Sequence, residues 1–268
     1  MDKRLTSITP STLVRSLGDF LMPRVCVVCG RPLLVQERHL CVVCLFDLPF
    51  TYFWSMPHNP MADRFNGIIE ADEYIHAAAL FYYSAGYESI TQALKYRRNF
   101  AIGRWAAGLL GLRLRESGWQ IDAVCCVPLH WTRRWRRGYN QAEIIGRQIA
   151  SRLGVPFLPR LLRRLRRTSA QTRLSGPARL SNVSGAFTVR QEILSQLFPP
   201  EGCGNDSPEH ASSEGKVERG SRPPEPLSIL IVDDVFTTGS TLAACYNALR
   251  NEYGDGMTIA VATLADVE

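Results

Sequence analysis

No run of apolar residues in this chain approaches the ~18 that a membrane-crossing helix requires. Residues Met1 to Arg24 also lack the apolar stretch of a secretory leader. A soluble, cytoplasmic chain with no membrane insertion is therefore expected. Internal repeats are missing, which excludes a solenoid. So is the Gly-Lys-Ser/Thr ending of a P-loop, which excludes that mode of nucleotide binding. Lysine is absent from Trp131 to Arg173, and Glu143 is the only acid there, against twelve arginines. That segment carries about +11 of a chain whose formal net charge is +6. Such a concentration of one sign suits phosphate-bearing partners, nucleotide or nucleic acid, better than an evenly solvated surface.

What is present is globular. The chain has 268 residues, of which 46% are hydrophobic and 21% charged. That is enough for a sizeable core, in one domain with a small appendage and an insertion. The periodicities predict strands over 76–83, 121–127, 185–189, 228–232 and 258–264. They predict helices over 11–21, 89–96, 102–114, 139–153 and around Leu242 to Tyr253. On the 102–114 helix the apolar face reads Ile102, Trp105, Ala106, Leu109 and Leu112. Strand, helix and strand in close succession indicate an α/β architecture with a mostly parallel sheet. Residues 199–226 are Pro, Gly, Ser and Glu with almost no large apolar side chain, and predict a flexible insertion. The expected division is a helix and metal-binding lobe over 1–67 and an α/β domain over 68–268.

Two motifs carry chemistry. In Ile229-Leu-Ile-Val-Asp233-Asp234-Val-Phe-Thr237-Thr-Gly-Ser-Thr241, a buried strand runs into two carboxylates, then a hydroxyl-rich turn, then a helix. Amides of such a turn and of the helix start attract an anion, and Gly239 allows close backbone approach. Asp233 and Asp234 can accept hydrogen bonds from vicinal ribose hydroxyls. The second motif is Cys26-x2-Cys29, eleven residues, then Cys41-x2-Cys44. Four thiolates fill a closed tetrahedral site, which suits a structural Zn(II). An iron–sulfur cluster and two redox pairs are the alternatives, and His39 is a minor substitute ligand. Cys125, Cys126 and Cys245 sit at core positions and read as small hydrophobes.

The strand–acid–loop stretch resembles the phosphoribosyl-pyrophosphate signature of type I phosphoribosyltransferases. That resemblance implies a sheet of that fold type with flanking helices, the acids at the ribose, Thr237, Thr238, Gly239, Ser240 and Thr241 at the 5-phosphate, and Mg²⁺ carried with the pyrophosphate. Further stretches narrow it. Ala93-Leu-Lys95-Tyr96, Val127-Pro-Leu-His130, Arg133, Arg137-Gly-Tyr-Asn-Gln-Ala-Glu143, Arg167-Thr-Ser-Ala-Gln171, Asn182 and Gly185-Ala-Phe187 look like the ComF family, as do the paired cysteines. That family is linked to DNA uptake in competent bacteria. The resemblance runs from Cys26 to Ala265, apart from the 199–226 insertion. It implies phosphoribosyl transfer to an acceptor the sequence does not identify, with no catalytic base evident. Lys95, Arg133 and Arg137 are candidates for the pyrophosphate. The arginine loop, with Trp131 and Trp135, suits single-stranded DNA as well, and competence proteins are the other partners the resemblance implies.

Overall fold

The structure, a computed structural model, describes residues 24–66, 68–69, 75–129, 135, 137–165, 185–197 and 226–267. The predicted helix over 11–21 and the insertion, apart from Pro226, lie outside them, as do Arg133 and the stretch Arg167 to Asn182. In chain order the elements are α1 (Val42–Phe46), a 3₁₀ turn (Phe53–Ser55), α2 (Pro60–Asp63), β1 (His76–Tyr82), α3 (Glu88–Tyr96) and α4 (Phe100–Glu116). They continue with β2 (Ala123–Cys126), α5 (Gln141–Leu153), β3 (Phe157–Leu158), β4 (Leu162–Arg164), β5 (Phe187–Val189) and α6 (Gln191–Leu197). Last come β6 (Leu227–Phe236), α7 (Ser240–Tyr253), a 3₁₀ turn (Gly254–Gly256) and β7 (Met257–Asp266).

Five strands form one parallel sheet in the order β1-β7-β6-β2-β3. This is the mostly parallel α/β class expected. The central strands β6 and β7 are almost continuously buried, because helices cover both faces. From β2 the chain passes through α5 outward to β3, whereas from β6 it passes through α7 the opposite way to β7. Right-handed crossovers therefore set α4 and α5 on one face and α7 on the other. Two neighbouring strands whose connections diverge leave a crevice at their carboxyl ends. Here those strands are β2 and β6.

The strand expected over 185–189 is present as β5, paired antiparallel with β4 in a separate hairpin. Two expectations need correcting. The strand predicted to stop at Val232 runs on to Phe236, because β7 keeps pairing with it as far as Phe236↔Asp266. The buried face of α4 is Ile102, Gly103, Ala106, Ala107, Gly108, Leu110, Gly111 and Leu114, which keeps Ile102 and Ala106 of the predicted stripe but is turned from the rest, with Trp105, Leu109 and Leu112 only half-buried. Glycine explains the turn. A Cβ on Gly111 would lie 2.9 Å from Arg152 Cβ and 3.2 Å from Ile149 Cα, so α4 and α5 meet through a position that hydropathy does not mark as core.

Candidate functional site

The β2–β6 ladder ends at Cys126↔Val232, with the Val127 amide donating to the Val232 carbonyl at 3.0 Å. β6 then outruns β2, and the first two residues of the overhang are Asp233 and Asp234. The strand–acid motif thus opens into the crevice where the connections diverge. The Asp234 amide no longer has a strand to pair with and donates to Asp233 Oδ1 at 2.8 Å. Burial, and then the neighbouring Asp234 charge, push the Asp233 carboxyl up to about 7, against the pull of that amide, Lys95 and Arg164. Asp234 is buried and forms an ion pair with Lys95, Nζ to Oδ2 at 3.2 Å. Lys95, in the last turn of α3, is therefore drawn to the carboxylates as well as to its own helix dipole.

The turn after β6 brings Thr237, Thr238, Gly239, Ser240 and Thr241 round to the start of α7. All of these but Thr238, together with Asp233, Val235, Phe236 and Leu242, enclose a polar cleft of about 40 Å³, the room of one or two waters, so it admits an anion's oxygens and no ring. Gly239 precedes α7 at φ 72°. A Cβ there would lie 2.9 Å from Phe236 Cζ. The Phe236 ring is itself held by Phe65, centroids 5.3 Å apart, and by the Arg64 guanidinium at 4.5 Å. Arg64 is fixed in turn by Asp266 and the Val267 carbonyl. Thr238 Oγ1 and Ser240 Oγ sit 3.0 Å apart at the rim.

Of the arginine loop, Arg137 is brought to the end of α3. Its guanidinium lies over the Tyr96 ring at 5.6 Å and donates to Gln141 Oε1 at 3.3 Å. The Tyr139 hydroxyl anchors the next turn at the Leu94 and Lys95 carbonyls. Trp135 is 88% exposed. Arg133 lies outside the described residues.

The Sγ atoms of Cys26, Cys29, Cys41 and Cys44 all lie within 4.8 Å of one another, close enough to share one metal ion. Cys29 and Cys41 are 3.8 Å apart. The Cys41 amide donates to Cys26 Sγ and the Cys44 amide to Cys41 Sγ, each at 3.4 Å. Sequence reasoning missed Glu37, which ties the two knuckles. Its carboxylate accepts from the Leu34 and Val42 amides, both at 2.7 Å, and those two bonds hold its pKa below the ordinary value. No spacing in the sequence announces such a bond to backbone. His39 turns its ring to Trp105, centroids 6.2 Å apart, and is not among the clustered donors. Cys125, Cys126 and Cys245 are buried in the core, as expected. Among the described residues no helix is long and apolar enough to cross a membrane.

No protein-family model matches the chain. The ComF resemblance read from its motifs is met by curated homologues. Competence protein F of Haemophilus influenzae is 31% identical over 166 residues, 60% of this chain and 60% of that one. The chain thus spans 60% of the length of that relative. DNA utilization protein YhgH of Salmonella typhimurium is 26% identical over 242 residues, 83% of this chain and 88% of it. The Escherichia coli protein of the same name is 26% identical over 239 residues. A solved structure of adenine phosphoribosyl transferase from Trypanosoma brucei, in complex with AMP, pyrophosphate and ribose-5-phosphate, aligns over 78% of this chain and 80% of its own. Its identity is 13% and its TM-score 0.33, too slight to bear on the ligand.

Proposed function

We propose that this chain, a homologue of competence and DNA-utilization proteins, binds phosphoribosyl pyrophosphate with Mg²⁺ at the end of β6 and hands the phosphoribosyl group to an acceptor. The observation that carries the reading is the carboxylate pair at the point where β6 outruns β2, followed within three residues by the turn into α7. The 5-phosphate takes the amides and hydroxyls of Thr237, Thr238, Gly239, Ser240 and Thr241, favoured by the α7 dipole. Asp233 and Asp234 receive the ribose hydroxyls. Their hard oxygen atoms also suit Mg²⁺, which when bound supplies charge to the departing pyrophosphate. Lys95, Arg133 and Arg137 supply the remaining positive charge. Lys95 meanwhile pairs with Asp234 in the ligand-free protein, which offsets part of the repulsion within the acid pair.

The four cysteines hold a structural Zn(II) in this reading. A tetrahedral ion with ~2.3 Å bonds to sulfur separates its ligands by ~3.8 Å, which is the Cys29–Cys41 spacing. Thiolates kept reduced fit a cytoplasmic protein. A second reading, a non-catalytic single-stranded DNA component of an uptake machine, is favoured by the exposed Trp135, two residues before Arg137 in the chain, and by the names of the homologues.

Calorimetric titration of phosphoribosyl pyrophosphate with Mg²⁺ tests the first reading. Asp234→Asn keeps the shape and removes the charge, so affinity falls about 10- to 150-fold. A pyrophosphate-release screen over nucleobases then asks for turnover. Absence of binding by the parent protein, with Mg²⁺ present, overturns the reading and leaves the DNA-binding one.

A further inference from the structure

Three arginines of the basic segment, Arg160, Arg163 and Arg164, are assigned no ligand contact in the site above. With Arg190 they line a cavity of about 440 Å³, the size of a small-molecule pocket and not of a bare ion site. Its place in the fold is specific. Pro128 and Leu129 continue from the carboxyl end of β2, Arg160 follows β3, and the β4–β5 hairpin brings Arg163 and Arg164 across the same sheet edge. β5 lies in turn against α7. The cavity therefore flanks the β2–β6 crevice on the β3 side. Arg164 links the two directly, since its charge is one of those that hold the Asp233 carboxyl down.

The lining has a chemistry of its own. Four guanidinium groups face one carboxylate, Glu143, in the first turn of α5. Arg160, Arg163 and Arg190 form no ion pair with a carboxylate among the described residues. The rest of the wall is proline and leucine, flat apolar surface that suits a ring face. Guanidinium forks bind carboxylate or phosphate oxygens in pairs, and Glu143 can accept from a ring N–H.

We infer that this cleft is a second binding site, for a small heteroaromatic carboxylate. Seated there, the ligand's ring lies beside the sugar position at Asp233 while its carboxylate is held by the arginines. Its part as acceptor rests on the phosphoribosyl reading; its binding does not. Matched probes test it on the full, metal-loaded chain: orotate against uracil, nicotinate against nicotinamide, and inorganic phosphate alone, by calorimetric titration. At least one carboxylate should bind about tenfold or more tighter than its uncharged parent. Arg163→Gln with Arg190→Gln should erase that preference and leave phosphoribosyl pyrophosphate affinity and the thermal midpoint unchanged. Arg160→Gln alone should weaken it in part. The inference is overturned if neither carboxylate outbinds its parent, if the preference survives the double Gln variant, or if Gly239→Val abolishes it, which would seat the anion on the phosphate loop. Phosphate matching the carboxylates overturns the heteroaromatic assignment. Carboxylate binding in a protein that ignores phosphoribosyl pyrophosphate sinks the acceptor role and sustains the anion site.

Discussion

Replacing Asp233 with Asn separates the strain that the acid site places on the empty protein from its use to a ligand. The Asp233 carboxyl is raised from its ordinary 3.8 to about 7, chiefly by burial and then by Asp234. At ~1.36 kcal/mol per pH unit, that disfavours the ionised form by about 4 kcal/mol. The side chain keeps some contact with water, and screening reduces the figure to about 1–2 kcal/mol. The folded chain keeps its proton up to about pH 7, whereas the unfolded chain releases it near 3.8. Between those values the folded state binds more protons, so the parent loses stability as pH rises across the window and is flat above it. Asn carries no charge and still offers Oδ1 to the Asp234 amide. Its advantage should be absent near pH 4, grow through pH 7 and be complete at pH 8, worth about 2–8 °C in midpoint for a chain of this size. Scanning calorimetry of both proteins from pH 5 to 8 reads it, and any loss of the metal at low pH cancels between them. With phosphoribosyl pyrophosphate and Mg²⁺ the order should reverse, because only the parent gains from the ligand. A variant less stable than the parent at pH 8, or a difference that does not change with pH, would refute the reasoning.

Gly239→Val should weaken phosphoribosyl pyrophosphate binding more than Asp234→Asn does, since its Cβ meets Phe236 at 2.9 Å on a backbone with φ 72°; titration against the two variants orders them. Cys44→Ser should lower the metal content from about one zinc per chain and with it the stability of the small lobe, as read by elemental analysis and thermal melting. A metal-free protein of unchanged stability would count against the zinc assignment. Gly111→Leu should lose about 1–3 kcal/mol in denaturant unfolding, because α4 and α5 have no room for the side chain.

The strand, acids, loop and helix around Asp233 were legible because they are consecutive and each part has a pattern: a continuous apolar run, then charge, then turn chemistry, then a helical stripe. The cysteine knuckles were legible by spacing alone. Of the hairpin only β5 was legible, since β4 has three residues and β3 two, too short for any period to register, and their pairing leaves no local trace. The α4 face was misread for a different reason. Its contact residues include Gly103 and Gly111, whose value lies in atoms they lack. The extension of β6 past Val232 comes from β7, 30 positions on, and no local signal records it. Glu37 and the Asp234–Lys95 pair likewise become visible only when distant segments meet.

The overhang of β6 also makes the site its own reporter. A ladder amide exchanges its hydrogen with solvent only when the sheet opens, whereas an amide held by one neighbouring side chain is released whenever that side chain rotates. The Asp234 amide, tied to Asp233 Oδ1 at 2.8 Å, is of the second kind, while the Val127 amide just below it is locked to Val232. The boundary between slow and fast exchange thus falls within the crevice between β2 and β6. A ligand seated on the carboxylates must restrain Asp233 and cover that amide, so occupancy would appear as a slowing of exchange at a single backbone position, without any label and before any acceptor is known.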